Sequence, residues 1–590
     1  MFISITLFLK QPFLDYTFTK TSNMTRSIIF LLSLLLLSCG KQLPADLIIS
    51  GGTIYTVDPA RPVVEAVAVR GDSIVFAGTM VESSKFKGDQ TIELDLKGKT
   101  MTPGFIEGHG HFMGLGYNEM NLDLMYVKNY EELVEKVKGA VAKAQPGQWI
   151  IGRGWHQDKW DSKPSKMIKG FQTHHLLSEV SPDNPVYLSH ASGHAGFANA
   201  KAMQMAGVNQ LSIEKLSNDL HDGGEIIRDE LGNPTGIFNE RAQSLITQFI
   251  PQNTEDTDRQ ALELAIEACH RNGITSFQDA GTQKKYIELY RKFKLEGKLG
   301  IRLYTMLTGS NNELMNEWYD HGPEIDPKGW LTIRSIKLHC DGALGSRGAW
   351  LLEPYSDRAG HVGHETLPMD FVYTTSQKAL KAGFQVCSHA IGDRANKEIL
   401  DRYEKAFAEN PEKAKNSRFR IEHAQHLHPD DIPRFGKLGV IPAMQAVHLS
   451  SDRPWAIERL GEKRIVEGAY VWRKLLQSGA VIVNGTDTPV EPVNPIASFY
   501  ASVTRKTLKG EPEGGYEPGQ KMTREEALKS YTLDAAFGAF EENIKGSIMP
   551  GKLADFTIFT KDIMKINENE LLSAEVAITI VGGKVVFEKK

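Results

Sequence analysis

The chain has 590 residues, 41% of them apolar and 24% charged, with a net charge of −5 and a pI near 6.4. Such values describe a soluble globule long enough for one large barrel with insertions, and they carry no basic footprint, which excludes nucleic acid as the expected partner. A small-molecule substrate is the expectation that remains.

Residues 27–37 are almost wholly apolar, follow Arg26 and end at Ser38-Cys39-Gly40. The run is too short to span a bilayer and has signal-peptide proportions. Leu36-Leu37-Ser38-Cys39 resembles a bacterial lipobox, with the leucine before the serine as a mild departure. That resemblance implies lipidation at Cys39 and a lipoprotein anchored in the cell envelope, facing the periplasm. Residues 1–39 are therefore expected to form the signal region, with Met24 as the natural start and 1–23 as extra sequence. Cys269, Cys340 and Cys387 show no close spacing and predict no disulfide framework.

From residue 46 to 96 the sequence reads as short β segments broken by turns, and the style returns between 554 and 587. Residues 46–100 and 546–590 are thus expected to build one composite β-sandwich from both chain ends. The stretch 101–545 alternates strands with helical segments, the pattern of an α/β fold with a parallel sheet. Candidate strands are 101–106, 186–189, 275–279, 334–338, 385–389, 418–423, 440–444 and 481–487, and eight of them predict a distorted (β/α)8 TIM barrel. The long interval between the first and third predicts an inserted lobe near 120–270.

Polar residues fall at the C-terminal ends of these strands, the face on which such barrels carry their active sites. His109 and His111 follow the first strand and share a face by the two-residue repeat of a strand. Lys337 lies in the fourth, before Asp341, while His389 ends the fifth, His423 the sixth and Asp487 the eighth. Four imidazoles and a carboxylate suit Zn2+ or another divalent ion, whereas the lack of paired cysteines argues against a structural zinc. A His-x-His pair alone carries little weight, because His426-Leu427-His428 is a second one, past its strand and before Pro429. That second pair is assigned to surface or packing.

Thr102-Pro103-Gly104-Phe105-Ile106 with His109 and His111, Lys337-Leu338-His339-Cys340-Asp341-Gly342, Ser388-His389-Ala390-Ile391-Gly392-Asp393, Ile421-Glu422-His423-Ala424-Gln425 and Gly485-Thr486-Asp487-Thr488-Pro489 occur in this order. Together with Gly546 to Asp555 they resemble the amidohydrolase superfamily, and within it the amidohydrolase 3 branch of YtcJ-like proteins and N-substituted formamide deformylases. The resemblance covers nearly all of the chain beyond Asp46. It implies that His109 and His111 bind one metal ion, that His389 and His423 bind a second, and that Lys337 bridges them as a carbamate made with CO2. It also implies that Asp487 contacts a metal and shuttles the proton. An uncarboxylated Lys337 paired with Asp341 or Glu240 is the alternative. His194 matches a family motif and is expected either to touch substrate or to pack; Trp155 and Asp341 are further candidates for the substrate site.

A divalent ion lowers the pKa of water from 15.7 to about 7 and polarises a carbonyl, so such a centre suits hydrolysis. The reading is a metal-dependent enzyme that cleaves a non-peptide C–N amide bond of a small molecule. Hydrolysis of an ester or a deaminase-type bond on the same centre is one alternative; a non-catalytic ligand-binding lipoprotein is another. The presence of all five of His109, His111, His389, His423 and Asp487 weighs against the last. A homo-oligomer is compatible with either reading.

Overall fold

A computed structural model describes residues 43–157, 160–191, 193, 195–208 and 224–590; the expected signal region with Cys39, and His194, lie outside them. Eight strands form the central sheet: β1 (Phe105–Gly110), β2 (Ile274–Thr282), β3 (Arg302–Thr308), β4 (Leu331–His339), β5 (Gln385–Ala390), β6 (Arg420–His423), β7 (Ile441–Met444) and β8 (Val483–Asn484). They pair in chain order, each parallel to the next. The ring closes where the chain beyond β8 returns to β1. There Thr486 N donates to Glu107 Oε1 at 2.7 Å, Asp487 N to the His109 carbonyl at 2.8 Å, and His111 N to the Thr488 carbonyl at 2.7 Å. Two glycines permit this approach: a Cβ on Gly108 would lie 2.4 Å from Asn484 O, and one on Gly485 would lie 2.3 Å from Glu107 Oε1. The expected TIM barrel is borne out.

Strand alternation sorts the side chains. Phe277, Leu307, Ile336 and Ile421 point outward into the apolar cluster shared with the surrounding helices. On the opposite face, Ala280, Met306 and Cys387 pack together, and Gln278 and Arg420 bond each other across the interior. The barrel interior is therefore polar as well as packed, and it is this interior that carries the metal-ligand candidates.

Two strand expectations are corrected. Residues 186–189 belong to Val186–His190, which is not in the barrel; it sits in a six-stranded sheet built from Leu122–Asp123, Ile150–Trp155, Val186–His190, Ala195–Ala198, Gly224–Arg228 and Pro234–Glu240. The barrel strand it displaced in the reading is β3. The segment 101–106 is also divided. Thr100–Pro103 pairs with Leu47–Tyr55 and Phe556–Phe559 in the terminal sheet, and β1 starts only at Phe105.

The terminal sheet runs in the order Lys584–Glu588, Val576–Val581, Phe556–Phe559, Thr100–Pro103, Leu47–Tyr55, Val63–Arg70 and Ser73–Gly78, with Ile92–Asp95 also on Leu47–Tyr55. Both chain ends thus meet in one sheet. Among the described residues no helix is long and apolar enough to cross a membrane.

Candidate metal centre

The ligand candidates converge at the C-terminal mouth of the barrel. His109, in β1, is 1% exposed and its Nδ1–H donates to Glu422 Oε2. This leaves Nε2 free to face the centre, where it lies 3.2 Å from Lys337 Nζ and 3.5 Å from Asp487 Oδ1. His111 follows β1 with Nδ1 2.9 Å from the Ala280 carbonyl and Nε2 3.2 Å from Asp487 Oδ1. His423 places Nδ1 2.6 Å from Gln445 Oε1, and its ring centroid lies 5.0 Å from that of His109 and 4.3 Å from that of His389. His423 and Asp487 both adopt left-handed backbone, at φ 74° and 58°. Such conformations are costly outside glycine and concentrate at functional sites.

The donor chemistry fits a divalent ion. His109, His423 and Asp487 offer ligand atoms that all lie within 4.8 Å of one another. His389 Nε2 is buried and completes no hydrogen bond, although Asp341 Oδ1 is 3.4 Å away. Asp487 Oδ1 likewise completes none. Both atoms can offer a lone pair, and buried acceptors without a hydrogen-bond donor are suited to a cation. The compact group also draws on both of the ligand sets that the resemblance implied, since His109 comes from one and His423 from the other.

Burial favours the ligating, neutral form of His109, His389 and His423, whereas at His111 burial is outweighed by the hydrogen bond and charge of Asp487, which raise it. His109 is lowered to about 4 by desolvation and by Lys337, with Glu422 opposing. Desolvation places His389 and His423 well below the usual range. Burial alone would raise Asp487, yet His111, His109 and His423 around it hold its carboxyl well below the carboxylate range. Lys337 is lowered by desolvation, with Glu422 and Asp487 opposing.

Several further residues support the centre. Arg420 grips Glu422 through Nε and a terminal nitrogen at 2.7 and 2.8 Å, bonds Gln278, and donates to the Gly108 carbonyl at 2.7 Å. Glu422 thereby fixes the His109 tautomer. Glu107 takes the Thr486 amide and hydroxyl, and burial pushes its carboxyl up to about 8. The His339 ring stacks on that of His389 at 4.0 Å. An alternating Arg-x-Glu within a buried strand was the available clue for the first pair.

Two residues expected at the substrate site, Trp155 and Asp341, are held by contacts within the protein. Trp155 is fully buried in the lobe, its indole N–H donating to the Leu188 carbonyl at 2.8 Å and its ring packed on His190 and Phe197; its role there is packing. Asp341 is also fully buried and accepts from the amides of Ile391, Gly392 and Trp350 at 3.0, 2.8 and 3.0 Å. It pins the loop behind His389. Lys337 pairs with His109 rather than with Asp341.

A parallel eight-stranded barrel whose mouth gathers imidazoles, a lysine and a carboxylate defines a metal-dependent hydrolase. The chain belongs to the amidohydrolase family, whose sequence profile matches residues 93–587. It is 34% identical to Protein LONG AFTER FAR-RED 3 of Arabidopsis thaliana, over 92% of each chain. It is 30% identical to the putative amidohydrolase YtcJ of Bacillus subtilis, over 91% of this chain and 99% of that one. With the N-substituted formamide deformylase of Arthrobacter pascens it shares 27% identity over 92% and 98%. An uncharacterized metal-dependent hydrolase from Pyrococcus furiosus superposes with a TM-score of 0.69 at 28% identity, covering 88% of this chain and all of that one.

Proposed function

We propose that this protein hydrolyses a non-peptide C–N amide bond of a small molecule at a centre holding one or two divalent ions, Zn2+ being the first choice. The observation that carries the reading is the convergence of His109, His423 and Asp487 within 4.8 Å, with His111, His389 and Lys337 around them. Kinship with a formamide deformylase supports the choice of bond. A divalent ion bound there supplies Lewis acidity and hydroxide at neutral pH.

The residues do the rest. His109, His423 and Asp487 hold the ion, and Glu422 fixes which nitrogen His109 presents. Asp487 accepts the proton of the attacking water at a carboxylate oxygen and returns it to the departing nitrogen, which an amide needs because its anion leaves badly. Lys337 is read as the site of a carbamate: CO2 adds only to a neutral amine, and burial favours that form.

Metal-loaded protein is expected to release amine from at least one member of a panel of N-formyl, N-acyl and cyclic amides. That release should stop on chelation and return when Zn2+ is restored. Turnover confined to matched esters would contradict the amide reading.

A further inference from the structure

One polar group beside the centre is used by none of these roles. The helix Ala446–Gly468 follows β7, and near its start the His448 ring lies parallel to that of His423, with centroids 6.1 Å apart and planes 14° from each other. His448 is 8% exposed, and its Nε2 is buried without a hydrogen-bond partner. Four residues on, and so on the same helix face, comes Asp452. Its Oδ2 accepts from Gln425 Nε2 at 3.2 Å and from the Tyr470 hydroxyl at 3.4 Å, and among the described residues no hydrogen bond reaches Oδ1. Gln425 is two residues beyond His423, which ties this group to the rim of the metal site. A second carboxylate stands close by, since Glu491 accepts the hydroxyl of Ser451, the neighbour of Asp452.

A buried polar atom left unpaired is costly, and here an unpaired imidazole nitrogen and an open carboxylate oxygen share one helix face beside His423. In the tautomer protonated at Nδ1, His448 Nε2 is an acceptor, as is Asp452 Oδ1. These two acceptors, one of them a carboxylate, with the Glu491 carboxylate nearby, complement a positively charged donor. We propose that His448 and Asp452 form a substrate subsite that receives a protonated amine carried by the substrate at a distance from the scissile amide. The neighbouring carboxylate of Glu491 adds to its preference for positive charge. The proposal rests on the metal-hydrolase reading above and names the substrate class for that site: amides bearing a second, cationic nitrogen.

The test uses two probes that anchor on the metal whether or not turnover occurs: 4-aminobutanohydroxamate and its neutral isostere pentanohydroxamate. Binding of each to the Co2+-loaded full chain is followed by the visible cobalt spectrum. The aminated probe is expected to bind at least about tenfold tighter to the wild type, the scale of a charge-assisted hydrogen bond. That preference should vanish in Asp452→Asn and weaken in His448→Leu, with the unliganded cobalt spectrum unchanged. Equal affinity for the two probes in the wild type, which needs no variant, overturns the subsite, as does a preference that survives Asp452→Asn. A chain that takes up no cobalt fails the metal reading instead, and the subsite falls with it.

Discussion

Asp487→Asn keeps the fold and lowers amide turnover on the order of 10³-fold, the scale of a lost general acid–base group. The fold is kept for local reasons. Residue 487 sits at φ 58°, a region that asparagine tolerates nearly as well as aspartate, and its backbone N–H, which bonds the His109 carbonyl at 2.8 Å, is untouched. What is lost is the proton acceptor facing His111 and His109 at 3.2 and 3.5 Å. Single-turnover kinetics on the amide found by the panel, with metal content measured in parallel, checks the prediction. Undiminished turnover would remove Asp487 from the proton path.

Glu422→Ala is expected to be the most damaging change away from the metal itself. Glu422 and Arg420 are both fully buried, and removing the carboxylate strands the guanidinium in the barrel interior. Breaking a buried pair in this way costs about 3–5 kcal/mol. The same change frees the His109 ring, whose Nδ1 it holds, and loss of such a support weakens metal affinity by about 10–100-fold. Denaturant unfolding of the metal-free protein and competition with a chromogenic chelator measure the two effects separately. A variant with unaltered affinity would show that His109 needs no carboxylate behind it.

Much of this was legible in the sequence. The barrel class and the gathering of polar residues at strand ends could be read because such residues stand out against apolar runs, as His109, His389, His423 and Asp487 do. Membership of the barrel was less legible. Val186–His190 and Arg302–Thr308 are both short, largely buried segments, and composition does not say which sheet a buried strand joins. Pro103 and Gly104 marked a boundary, but not that the sheet changes there. The polar interior was hidden for another reason: Gln278, Arg420 and Glu422 read as ordinary alternating strand positions, and only closure of the ring turns that face inward. His426 shows the converse, since it is as buried as the ligand candidates yet packs on Tyr470.

His109, His423 and Asp487 are proposed to hold a metal ion. Elemental analysis of the purified, folded protein after dialysis against metal-free buffer tests it most directly, with His109→Ala/His423→Ala as the comparison. The predicted result is one to two equivalents of a divalent metal, zinc foremost, in the wild type and a loss of at least one equivalent in the double variant. A folded wild-type protein that hydrolyses its substrate while carrying no metal would contradict the account.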